Sequence, residues 1–179
     1  PAGTMVCAKA LAALGYHPVI VTDSFCKGFF EPEGIETEYL PMDADDDACN
    51  AVVKKYQPVG MISIERCGKN TENDYANMRG ISIREHTAPV DRIFELFGPD
   101  AEEDGKRIPT IGVGDGGNEI GMGNLADVIE KELSLVPCKV RTDLLVTASV
   151  SNWGAYGIAA ALQPLTGRKI YSVIDEEPV

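Results

Sequence analysis

Apolar positions along the chain fall into two alternating patterns: short unbroken runs, and runs spaced three or four residues apart. Met5, Ala8, Leu11, Ala12 and Leu14 recur at helical spacing and Gly15 stops the run, which predicts a first helix. Val19-Ile20-Val21 forms a short strand ending at Thr22-Asp23, and Ile35 to Leu40 a second. Ala44 to Tyr56 reads as a helix with Asp43 as its cap, and the acidic run Asp43 to Asp47 as a solvated helix start favoured by the dipole. Val59 to Ile64 is nearly continuous in its apolar character, which suits a strand buried on both faces. After a polar loop from Glu65 to about Arg84, Pro89 to Phe97 is helical, with Val90, Ile93, Phe94 and Phe97 on one side. Ile108 to Val113 is again strand-like, Asn124 to Leu133 helical, Asp143 to Thr147 a strand, and Asn152 to Leu162 an alanine-rich helix.

Strand and helix alternate throughout. The expected fold is therefore a single α/β domain over residues 1–179, a three-layer Rossmann-like arrangement of a mostly parallel sheet with helices on both faces. Pro1-Ala2-Gly3-Thr4 leads straight into the first helix, with a strand after it. That is the pattern left when a strand and its glycine turn lie upstream of Pro1, and such a strand is expected.

Composition narrows the function classes. Of 179 residues, 16 are Lys or Arg and 28 are Asp or Glu, a formal charge of −12 that argues against nucleic acid or an anionic membrane as partner. An anionic ligand would need locally placed cations. Cys7, Cys26, Cys49, Cys67 and Cys138 are odd in number, widely spaced and free of any C-x-x-C pair, so neither a disulfide framework nor a zinc site is expected. A reducing compartment is the simplest reading of these cysteines; the expected location is the cytoplasm for a prokaryotic source, with the mitochondrial matrix as the option for a eukaryotic one.

Polar clusters follow four of the strands: Asp23, then Glu65-Arg66, then Asp115 with Asn118 and Glu119, then Ser149-Val150-Ser151-Asn152. Ligands of open parallel sheets bind outside the carboxyl ends of the strands, so a shared pocket is expected there. Each cluster also has a plain structural reading. Asp23 would simply end a strand and start a turn, and Ser151 or Asn152 would cap the last helix. Glu65 and Arg66 are harder to explain away, because burying a charge without a partner is costly.

Gly112 to Gly123 carries six glycines in twelve residues, interleaved with Asp115, Asn118 and Glu119, directly after an apolar run. Such density is expected where the chain turns sharply or approaches something closely. Gly112, Gly114 and Gly117 satisfy G-x-G-x-x-G, but Asp115 inside the loop would repel a pyrophosphate. There is no G-K-[ST] and no G-x-S-x-G. His17 reads as a surface residue and His86 as a loop residue. The carboxylates Glu65, Asp115 and Glu119 remain the strongest acid–base or metal-ligand candidates.

Four segments in order, Ser63-Ile64-Glu65-Arg66-Cys67-Gly68, Asp74-Tyr75-Ala76-Asn77-Met78-Arg79-Gly80, Gly112 to Gly123, and Val150-Ser151-Asn152-Trp153-Gly154-Ala155-Tyr156, strongly resemble the D-glutamate cyclase family, specifically its C-terminal catalytic-type domain. The resemblance covers about residues 1–163. It implies a lyase converting D-glutamate to 5-oxo-D-proline and water, with no organic cofactor, and it supports an additional strand and acidic, glycine-containing turn ahead of Gly3. The stretch Asp23 to Leu40 is short for the strand-helix-strand expected there.

Cyclising glutamate requires a free α-amine, an electrophilic γ-carboxyl and the loss of an oxygen as water. Arg66 and Arg79 are natural carboxylate clamps. Glu65 or Asp115 would be the base, and Glu119, its pKa raised by burial, the acid. Gly114, Gly116, Gly117 and Asn118, with Ser151 and Asn152 at the start of the last helix, would line the substrate site and offer backbone N–H groups to an oxyanion. A divalent cation on Asp115 and Glu119 would serve the same electrophilic role. The expected partner is a small acidic amino acid, with homo-oligomerisation left open. A non-catalytic Rossmann-like module for a nucleotide or acidic metabolite, or a related lyase or hydrolase on another amino acid, are the competing readings.

Overall fold

The structure, a computed structural model, describes residues 1–102, 107–133 and 135–170. Among the described residues there are five strands, β1 (Val19–Thr22), β2 (Glu36–Tyr39), β3 (Met61–Ile64), β4 (Thr110–Gly114) and β5 (Leu144–Thr147). Five helices accompany them: α1 (Ala2–Ala13), α2 (Asp46–Tyr56), α3 (Asp91–Phe97), α4 (Ala126–Leu133) and α5 (Ser151–Thr166). Every strand pairing is parallel, which bears out the α/β Rossmann-like expectation. The pairings form two groups, β1 with β2 and β3-β4-β5, and β1 is not hydrogen-bonded to β3.

The two faces carry different helices. Ile64 and Val113 are register partners, and a Cβ on Gly154 of α5 would meet Val113 at 2.8 Å, so α5 covers that face. Met61, three residues before Ile64, packs instead into the core built by Cys49 and Val52 of α2 with Val90, Ile93 and Phe97. Val21 of β1 joins the same core. On the α5 face, α1 packs along α5 through Ala10, Ala159 and Ile170, and the Cys7 thiol donates to the Ala155 carbonyl at 3.2 Å. Among the described residues no helix is long and apolar enough to cross a membrane.

Boundaries shift from expectation where a cap lies elsewhere. The cap of α2 is Asp45, whose side chain accepts from the Ala48 N–H at 2.9 Å, and not Asp43. A single 3-10 turn, Met122–Leu125, precedes α4 and absorbs residues expected in the helix. The Val59–Ile64 run proves less buried than its apolar character predicts. In β3 only Ser63 is fully buried, and Val59 is 77% exposed.

Candidate functional site

The carboxyl ends of β1, β3, β4 and β5 meet at one edge, as the sequence pattern predicts, but the side chains there divide their roles differently. Glu65 leaves β3 with φ +55°, in the left-handed region that a residue with a Cβ seldom adopts. Its backbone N–H still closes the ladder to the Val113 carbonyl at 3.0 Å, so the strain falls at the point where the chain leaves the sheet. The Glu65 side chain is exposed. One of its oxygens, Oε2, accepts from Asn152 Nδ2 at 3.1 Å.

Asn152 does not cap its own helix. Its Oδ1 accepts from the Gly3 N–H at 2.7 Å, satisfying the first turn of α1, where Pro1 supplies no side-chain cap. Gly3 is there because a Cβ would lie 2.8 Å from that Oδ1 and 2.9 Å from the Ala155 methyl. The start of α5 is likewise capped from outside: Asp115 Oδ2 accepts from the Ser151 N–H at 2.7 Å, while Val150 provides no side-chain cap. The caps expected from Ser151 and Asn152 on α5 are thus corrected, and both helix starts are held by side chains remote in sequence.

Arg66 is not free to clamp a substrate. Its Nη1 lies 2.6 Å from Asp23 Oδ2, and its Nη2 donates to the Ala88 carbonyl at 2.8 Å. Asp23 is 1% exposed and also accepts from the Phe25 N–H at 3.1 Å, so it ends β1, starts the next turn and balances the arginine.

The glycine loop closes on Glu119. One carboxylate oxygen accepts from the Gly116 N–H at 2.8 Å and the Asp115 N–H at 3.3 Å, and the other from the Gly117 N–H at 2.8 Å. Glu119 is 4% exposed. Burial raises its pKa against the lowering effect of those N–H groups, and the neighbouring Asp115 carboxyl raises it further. Gly117 has φ +94°, and a Cβ would strike the Ile129 side chain at 2.8 Å, so the turn and its packing on α4 both require glycine. The return of the chain past Glu119 bridges to Cys67, and the Ile120 N–H donates to the Arg66 carbonyl at 2.9 Å. The loop is tied to the exit of β3.

A second loop lies over the first. Asn118 Nδ2 and the Cys67 thiol both donate to the Ala76 carbonyl, at 2.9 and 3.3 Å. A Cβ on Gly116 would come within 3.5 Å of the Met78 Cβ. Arg79, next along, is exposed and makes no ion pair among the described residues. Its backbone is set by Asn77, whose Oδ1 accepts the N–H groups of Arg79 and Ile81 at 2.9 and 3.1 Å. Burial pushes the Cys67 thiol up to about 11, so it stays protonated at neutral pH.

Of the expected residues, Glu65, Asp115, Glu119, Ser151 and Asn152 are brought together by hydrogen bonds, with Gly116, Gly117 and Asn118 in the same loop. Gly114 is buried beneath them, its position bounded by Glu119 and Met122. Arg66 is absorbed by Asp23. Among the described residues no group of three or more His, Cys, Asp or Glu side chains is placed to hold a metal, and the inward oxygens of Asp115 and Glu119 already face N–H donors. That donor set does not fit the divalent cation considered from the sequence. His17 is exposed beside Glu36 and His86 stacks on Phe25 at 4.9 Å, as surface and loop residues do. Sequence reasoning missed Asp91, fully buried, which accepts from Tyr75 Oη at 2.6 Å and the Lys69 N–H at 3.0 Å and pins the loop after β3. A carboxylate opening an apolar helix is an ordinary first-turn residue in sequence, so no signal marked it.

Residues 1–178 match the family model described as D-glutamate cyclase-like, C-terminal. The chain is also similar to the human protein named D-glutamate cyclase, mitochondrial, with 36% identity over 118 residues. That stretch is 63% of this chain and 18% of the human protein, so the chain spans a minor part of the relative's length.

Proposed function

Since the chain belongs to the D-glutamate cyclase-like family, matching its C-terminal region, we propose that it is a lyase that closes D-glutamate into 5-oxo-D-proline with loss of water. The observation that carries this reading is Glu65, an exposed carboxylate at φ +55°, steered by Asn152 and standing beside two helix starts. Strained backbone at a strand end is characteristic of residues kept for chemistry rather than for stability.

In the proposed reaction the α-carboxylate binds Arg79, the one of the two expected clamps whose guanidinium is not already engaged. Glu65 takes a proton from the α-ammonium, freeing the nitrogen lone pair. That nitrogen attacks the γ-carboxyl carbon, a C–N bond forms, and the tetrahedral centre collapses with rupture of a C–O bond. The leaving oxygen departs as water with two protons, both delivered by Glu65: the one it took from the ammonium and then the second N–H proton, which the attacking nitrogen gives up as the amide forms. The glycine-loop N–H groups bound to Glu119 are not available as an oxyanion hole in this arrangement. Glu119 is therefore a positioning residue that fixes the loop, and Asp115 fixes α5. The mitochondrial location in the relative's name supports a matrix setting for a eukaryotic source.

Product analysis by NMR after incubation with D- or L-glutamate, with and without chelator, tests the reading. Formation of 5-oxo-D-proline from D-glutamate, lost in Glu65→Gln, is expected. Equal turnover by Glu65→Gln would overturn the role of Glu65, and stabilisation by NAD or ATP without any product would favour a nucleotide-binding module.

A further inference from the structure

Arg79 stands at the tip of a hairpin in the loop after β3. Ala76 bridges to Ser82, and the Ile83 N–H donates to the Tyr75 carbonyl at 2.7 Å. The tip is closed on itself. The Asn77 N–H donates to the Ile81 carbonyl and the Gly80 N–H to the Asn77 carbonyl, both at 2.9 Å, while Asn77 Oδ1 holds the Arg79 and Ile81 N–H groups. Gly80, at φ +73°, lets the turn close. Residues 77–81 therefore form one piece that keeps its shape by its own hydrogen bonds. At the base of the hairpin, buried Tyr75 is anchored to Asp91 through its hydroxyl.

What orients the tip lies between these two parts. Met78, Arg79 and Ile81 are exposed. Among the described residues, the hydrogen bonds that join residues 76–81 to elements outside the hairpin both end on the Ala76 carbonyl, one from Asn118 Nδ2 at 2.9 Å and one from the Cys67 thiol at 3.3 Å. A thiol is a weak donor, so the amide is the stronger tether. Asn118 is itself fixed: its carbonyl accepts from the Gly68 N–H at 3.0 Å, and it lies between Gly117 and Glu119 in the closed glycine loop. On the side of the hairpin that faces Leu135 and Val136 there is a hollow, also lined by Asp74, Asn77, Gly80 and Asn118. The tip has room to shift once the Ala76 carbonyl is released.

We propose that Asn118 is a positioning residue for Arg79: by holding the Ala76 carbonyl it sets where the tip presents its guanidinium to the α-carboxylate of an acidic amino acid. This rests on the lyase reading above, in which Arg79 is the clamp. The amide expected to line the substrate site is instead engaged with the element that carries the cation. A guanidinium–carboxylate fork depends on distance and on alignment, so a shift of about 1 Å at the tip is enough to weaken it. The α-carboxylate keeps its charge throughout ring closure. Its contact with Arg79 is therefore equally strong in the ground state and the transition state, and losing it raises KM rather than lowering kcat.

A double-mutant cycle tests this, with D-glutamate as substrate, product read by NMR and Tm as the check on folding. Asn118→Ala should raise KM about tenfold and change kcat by less than about twofold. Asn118→Asp, which keeps the side-chain shape but removes the donor, should do the same, and it carries the cycle if the alanine variant does not fold. Arg79→Gln should raise KM at least as much. The double variant should go no further than Arg79→Gln alone, because the Asn118 change acts through Arg79. An unchanged KM in the Asn118 variants, increases that multiply in the double variant, or a loss that falls on kcat as a distorted glycine loop would produce, each overturn the proposal. A wild-type chain that makes no 5-oxo-D-proline overturns the lyase reading and this role with it. A productive wild type whose double variant shows the multiplied effect overturns this role alone.

Discussion

Glu119 and Glu65 follow neighbouring strands at one edge of the sheet, yet they are treated in opposite ways. Glu119 is buried, with both oxygens occupied by N–H groups two to four residues upstream, and its surroundings hold a glycine loop in one shape. Glu65 is exposed, sits at a backbone angle that costs stability and has one side-chain hydrogen bond, to Asn152. A carboxylate that the fold needs is saturated with partners. Glu65 is steered by a single side-chain bond and left with free lone pairs, as its proposed role as base requires.

Substitutions at the two positions should separate along that line. The largest effect is expected in turnover: Glu65→Gln retains the contact to Asn152 but removes the proposed base, and kcat should fall by about 10²–10⁴-fold with little change in Tm, measured on D-glutamate by NMR. Next, Glu119→Ala strips three N–H groups of their acceptor and should cost about 3 kcal/mol in urea unfolding; an unchanged midpoint would dissolve the distinction between the two residues. Asp115→Ala removes the cap of α5 and should cost about 1–2 kcal/mol. Glu65→Gly relieves the positive φ and should stabilise the protein by up to about 1 kcal/mol while abolishing activity.

The smallest effect is in pH dependence. Because burial raises the Glu119 pKa in the folded state, the native protein binds more protons than the unfolded chain between the unfolded value, near 4.3, and the raised one. Stability contributed at this site is present below the unfolded pKa and declines as pH rises toward the folded value. Urea midpoints from pH 4 to 7 should fall more steeply in the wild type than in Glu119→Gln, and parallel slopes would remove Glu119 as the source.

Much of this contrast was out of reach of a sequence reading, for a reason of range. The strands were legible because their apolar runs are short and bounded by turn residues, and the α3 core face, Val90, Ile93, Phe94 and Phe97, because helical spacing is local. The glycine loop was legible as a sharp turn. What the sequence hid were the non-local contacts: the ion pair of Asp23 with Arg66 and the hydrogen bonds of Asp115 with Ser151 and Asn152 with Gly3. Asn152 and Ser151 have the composition of a local cap, and only their neighbours in space reassign them. Arg66 and Arg79 are equivalent by residue type, and only the position of Asp23 tells the occupied cation from the unengaged one. The division into two hydrogen-bonded strand groups was likewise invisible, since β1 and β3 each read as an ordinary strand.

The bond between Gly3 and Asn152, which joins residues 149 positions apart, has a consequence for the order in which the molecule assembles. A helix near the amino end whose first turn is completed by one near the carboxyl end cannot be finished early. During synthesis α1 must wait for most of the chain to be made, and contacts of such long sequence separation slow folding because the intervening loop must close first. The sheet edge where Asn152 joins Gly3 to Glu65 should therefore be among the last parts to acquire native structure, and refolding followed at Trp153, its exposed neighbour, should lag behind formation of the α2–α3 core.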